Sequence, residues 1–280
     1  MRKVKVFFII IGLVLALAGG GILAVSIVKA NSNDQQVVNT HEVKEAFDTI
    51  ETNVTYADID VKPAKDDKCT VECKETDSVI HTVKVSDKKL EITNNDSRKW
   101  YDKYLLNFNY LKMKITIYIP TKELESINLN VTTGDIKINE GFSVKSINVN
   151  NTTGDVEIVK ATVDGDIKIK TTTGDIQVFD TTSKSLDIEG STSDVTLTRF
   201  VTTGAIKIAT STGDTKFDMS DGASISVSTT TGDVEGTLLT PKSFTTTTSV
   251  GDVSVPQGTT GGPCVITTTT GDIKITIKSN

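Results

Sequence analysis

The chain has 280 residues, of which 37% are hydrophobic and only 5% aromatic, and its formal net charge is −6. That mild acidity excludes a nucleic-acid binder, which would carry a basic footprint. Two histidines, His41 and His81, argue against a zinc site, and the length suits one elongated domain plus a membrane segment.

Arg2, Lys3 and Lys5 precede an uncharged run over 6–28, 23 residues that suffice to cross a bilayer. Positive charge ahead of the run predicts a cytoplasmic N-terminus, with everything after Lys29 extracytoplasmic. The rival reading is a cleaved signal peptide, because Val28, Lys29 and Ala30 resemble a small-residue cleavage site. The apolar core is long for a signal, so residues 1–30 are read as a membrane anchor or signal-anchor. Residues 31–44 are polar and patternless, as a tether would be.

Residues 45–126 read as an irregular β cap with the first coils, with candidate strands over 54–61, 69–73, 79–85, 89–92 and 112–119. A divergent end is expected, because a stack of strands otherwise exposes an unpaired edge and an open core. Trp100, Tyr101, Tyr104, Phe108 and Tyr110 crowd into 11 positions of this section. They plug the core end, or they form an interaction patch or a contact with the membrane interface. Cys69 and Cys73 share a strand face but stand too far apart for a disulfide within one extended strand, and Cys264 occupies an inward position. All three read as small core residues.

Residues 127–280 form a regular array. Its signature is Thr132, Thr133, Gly134, Asp135 and Ile136, and the aspartate returns at Asp155, Asp175, Asp194, Asp214, Asp233, Asp252 and Asp272, every 19 or 20 residues. Eight and six residues before it stand apolar side chains such as Ile167 and Ile169, and one and three after it such as Ile176 and Val178. This is the period-two alternation of half-buried strands, with a glycine turn between them. Ser193 alone replaces the turn glycine, and Thr246 breaks the apolar pattern. Weaker echoes at Gly165 and Gly204 suggest a second turn, and Phe142, Val163, Phe179, Phe200, Met219 and Leu239 a third corner. Two short strands in 20 residues cannot bury a face alone, so the chain is expected to be all-β: a parallel β-solenoid (single-stranded β-helix) of about 20-residue coils behind one N-terminal transmembrane helix.

The aspartates could align as a row of calcium ligands, although an aspartate beside a turn more often accepts local backbone N–H bonds. No nucleophile with a base, phosphate-cradling loop or metalloprotease helix is present in the sequence, so neither an enzyme nor a cofactor is expected. The repeated Thr-Gly-Asp coils behind one membrane segment resemble the bacterial putative-adhesin family of unknown function, including LiaG-like proteins associated with envelope-stress systems. The resemblance covers about residues 45–280 and carries no catalytic residues. It implies a non-catalytic, membrane-anchored extracytoplasmic scaffold or interaction module, contacting envelope proteins or cell-wall polymer. A surface adhesin for glycan or host material is the alternative, and a cation-stabilised stalk a lesser one.

Overall fold

The computed structural model describes residues 36–97, 113–120, 123–258 and 260–278. The expected anchor at 6–28 and the aromatic cluster of Trp100, Tyr101, Tyr104, Phe108 and Tyr110 lie outside them. The described elements are all strands, and no described helix is long and apolar enough to cross a membrane.

Each coil places the strand ahead of its aspartate in one sheet and the strand after it in a second. Asp166–Thr173 and Ile176–Phe179 form one such coil. Neighbouring coils pair in parallel, so Ile147, Ile167, Leu186, Ile206 and Ile225 stand in line along the axis. All five are at most 2% exposed, as are Ile136, Val156, Ile176 and Val195 on the facing sheet. The inward positions of the alternation therefore are the core, in a stack whose stability comes from burial against neighbouring coils. A third side carries the short strands Thr162–Val163, Thr182–Ser183 and Val201–Thr202, with Phe142, Val163 and Phe200 buried. Phe179, Met219 and Leu239, expected at the same corner, are only partly buried.

The turn glycines answer to two constraints at once. At Gly154 the backbone runs at φ +132, and a Cβ would lie 2.1 Å from the carbonyl oxygen of Gly134 in the next coil. The echo at Gly165 is a real second corner, where a Cβ would meet the Lys145 carbonyl at 2.4 Å. Ser193 turns its side chain inward instead, to 2% exposure. Room for it comes from Gly190, which stands where other coils have an inward Asn151, Thr171 or Thr210: a Cβ on Gly190 would meet the Ser193 hydroxyl at 3.0 Å.

Spatial order departs from chain order at both ends. The stretch 54–61, read as one strand from the sequence, is broken at Ala57 into Thr49–Tyr56 and Asp58–Pro63. It is a ninth coil, with Ala57 at the glycine position and Asp58 at the aspartate. It pairs on one side with Glu123–Thr133 and Ile136–Ile138, and on the other with Lys89–Asp96 and Lys114–Ile119. At the opposite end, Gly262–Thr267 and Ile273–Ile277 insert between the coil of Ser224–Ser228 and that of Lys242–Thr247. The seventh repeat is therefore the outermost coil. That accounts for Thr246 at an inward position and for Val253, 46% exposed where its counterparts are buried. The N-terminal end is closed by antiparallel strands: Val37–Val43 on Cys69–Glu75 on Lys114–Ile119, and Val79–Ser86 on Lys89–Asp96.

Candidate interaction surface

The repeated aspartates hold the turns to one another. The backbone N–H of Asp155 donates to Oδ1 of Asp135 at 2.9 Å, and that of Asp175 to Oδ1 of Asp155 at 2.8 Å. The row runs from Asp58 through Asp135, Asp155, Asp175, Asp194, Asp214 and Asp233, then to Asp272 and last Asp252. One oxygen of every carboxylate but the last is thus committed to a neighbouring coil. Among the described residues the ladder forms no group of three ligand atoms close enough to share an ion.

Surface charge is likewise used between coils. Lys137 meets Glu157 at 2.6 Å, Lys160 meets Glu140 at 2.7 Å, Lys170 meets Glu189 at 2.8 Å, and Arg199 grips Asp180 through two contacts at 2.5 and 2.8 Å. Each exposed pair stabilises by at most about 1 kcal/mol. Their larger effect is to leave little free charge on these faces. Lys160, Asp180, Arg199 and Met219 also take the left-handed conformation, with φ between 47 and 52. The sequence placed Phe179, Phe200 and Met219 at this corner but not its left-handed turn, because these four positions carry no glycine. The alternating charge of Glu140, Lys160, Asp180 and Arg199 at repeat spacing was its signal.

Between these charged stretches lies a neutral one. The amide Nδ2 of Asn148 donates to Oδ1 of Asn128, and that of Asn150 to Oδ1 of Asn130, both at 2.9 Å. Asn53, Asn130, Asn150, Thr132, Thr152 and Lys170 line an open groove of about 490 Å³ along this face. The alternation turns these side chains outward and their neighbours Leu129, Val131 and Val149 inward. A row of oriented amides and hydroxyls can exchange hydrogen bonds with a polar, uncharged ligand. It offers no proton acceptor of suitable basicity and no activated nucleophile. The sequence reading singled out none of these asparagines.

All three cysteines are free and buried, as their inward positions predicted. Burial pushes the thiols of Cys73 and Cys264 up to about 12, so neither is a free nucleophile at neutral pH.

The Toastrack DUF4097 family matches residues 47–238. The chain belongs to that family. Among solved structures it is similar to a putative adhesin from Bacteroides fragilis, with 18% identity, a TM-score of 0.56, and coverage of 87% of this chain and 99% of that one. It is also similar to a protein described as a putative lipid binding protein from Parabacteroides distasonis, with 14% identity, a TM-score of 0.51, and coverage of 88% and 98%. At such identities the likeness is one of fold. No curated protein matches the sequence.

Proposed function

We propose that this Toastrack chain is a non-catalytic interaction module, anchored in the bacterial cytoplasmic membrane through residues 6–28 with its solenoid outside the cytoplasm. The observation that carries the reading is the division of labour along the coils. Aspartates and charged pairs are consumed in holding coils together, while the asparagine and threonine groove stays open to solvent. Such a surface suits recognition rather than bond-making. The orientation rests on Arg2, Lys3 and Lys5 before the apolar run, and the envelope-stress setting on the family resemblance. In-cell crosslinking, purification and identification of what is held tests it: recovery of envelope membrane proteins supports the scaffold. Protease added to intact cells should digest the solenoid, and protection until lysis would overturn the placement.

The second reading, an adhesin for glycan, is favoured by the same neutral amide row. It predicts direct binding of polysaccharide to the chain and loss of binding in Asn130→Ala with Asn150→Ala. The cation-stabilised stalk predicts that millimolar calcium raises the melting temperature, and an unmoved melt removes it.

A further inference from the structure

Three inward-facing polar side chains meet in the N-terminal cap. One ligand atom from each of Cys73, Glu75 and His81 lies within 4.8 Å of the other two. The residues are 0%, 4% and 6% exposed. The pairing of Val37–Val43 with Cys69–Glu75 sets Asn39 opposite Cys73 and His41 opposite Val71. Cys69, Val71, Cys73 and Glu75 all turn inward there, as the alternation along their strand requires. The chain then turns at Thr76 and Val79, and the next strand brings His81 back onto Glu75. His81 donates its backbone N–H to Oε1 of Glu75 and sets Nδ1 3.1 Å from the same oxygen, while the Asn39 amide holds Oε2.

This leaves Nε2 of His81 buried with no hydrogen-bond partner, and Nε2 of His41 is buried and unpartnered too. A buried nitrogen without a partner leaves its desolvation uncompensated. Beside a buried thiol and carboxylate, Nε2 of His81 needs a partner.

We propose that this cluster binds zinc(II), held by the Cys73 sulfur, a Glu75 carboxylate oxygen and a His81 ring nitrogen, with the fourth position taken by a solvent oxygen. Thiolate, carboxylate and imidazole are all zinc ligands, and in a tetrahedron such atoms stand about 3.3–3.8 Å apart. Residues already within 4.8 Å close to that spacing by side-chain movement of about 1 Å. On binding, the Cys73 S–H bond breaks, its proton leaves to solvent, and the sulfur keeps the electron pair that it shares with the metal. One thiolate, one carboxylate and one neutral imidazole then balance the divalent charge, which suits a buried site. Asn39 is the positioning residue for Glu75. The site ties Val37–Val43 and Val79–Ser86 to Cys69–Glu75, closing the end of the stack.

The test uses the full chain purified in detergent, freed of metal by a chelator and titrated with cobalt(II), then with zinc(II) in competition. The expected result is saturation at one ion per chain, with a sulfur-to-cobalt charge-transfer band that zinc abolishes. Cys73→Ser should remove the band and Cys264→Ser should keep it. His81→Ala should weaken zinc binding more than about 100-fold, beyond the 10–100-fold expected for the orienting residue in Asn39→Ala. No cobalt–sulfur band in the wild-type chain overturns the proposal, whatever the variants do. A band that survives Cys73→Ser overturns it too. The first result leaves an ion-free hydrogen-bonded network, and the second assigns the ion to another thiol.

Discussion

At Gly154 a methyl group has nowhere to go: the Gly134 oxygen stands 2.1 Å from the Cβ position, and both belong to backbones pinned by the sheets. Gly154→Ala should therefore lower stability by about 3 kcal/mol. Gly141 also sits at positive φ, +96, but with nothing within 4 Å of its Cβ position. Gly141→Ala should cost only about 1 kcal/mol, from the dihedral alone. Denaturant midpoints of the two variants decide whether contact or dihedral dominates, and equal losses would sink the contact argument. The pair Gly190 and Ser193 tests the same packing in reverse. Gly190→Thr alone places two side chains in one space, whereas adding Ser193→Gly restores the arrangement of the neighbouring coils. The double variant should melt well above the single one, and simple additivity would count against the exchange.

A side chain's worth also depends on the coil that holds it. Burial would raise the pKa of Asp60, but Lys62 at 2.6 Å and Lys114 at 3.0 Å more than offset it and hold the carboxyl below its ordinary value. A depressed folded-state pKa stabilises above the unfolded value and loses that contribution as pH falls through the folded one. Acid should accordingly loosen the junction between Asp58–Pro63 and Lys114–Ile119 below about pH 4. Asp60→Asn should flatten that part of a stability–pH profile, and an unchanged acid limb would assign it to other carboxylates. At the opposite end, Lys242, on the outermost coil, reaches Asp221 at 2.5 Å, with side chains 4% and 9% exposed. Thr240 donates to the other Asp221 oxygen at 2.6 Å and Gly222 N–H to the first at 2.8 Å. Lys242→Met leaves a buried carboxylate without its cation, a loss of about 3–5 kcal/mol, and the double change with Asp221→Leu should recover much of it. Calorimetry on the three variants reads the difference.

Across the whole molecule, the two end coils of the chain lie inside the stack rather than at its ends. Residues 49–63 and 262–277 are hydrogen-bonded to coils on both sides, while 242–254 forms an edge. Amide exchange should therefore be slower in 262–277 than in 242–254, although 262–277 is nearer the chain end. A stack that followed chain order would give the opposite ranking. Asp221 and Lys242 pair across the inserted coil.

The solenoid was legible because its rules are local. Alternation of two sets inward residues, the interval of 19 or 20 sets coil length, and Gly134 with Asp135 marks the turn, so the core positions from Ile127 to Ile275 follow from the chain alone. Coil order was not legible, since every rung presents the same aspartate, glycine and aliphatic groups and any coil can pair with any other. Thr246 and the Ala57–Asp58 copy depart from the repeat, and each makes sense once its place in the stack is known. The cap cluster lay further from view. Cys73, Glu75 and His81 obey no repeat, and the turn at Thr76 and Val79 brings their side chains to one buried point. What repeats along a chain determines how each coil folds; which distant segments become neighbours is decided by the tertiary pairing energy summed over the whole stack.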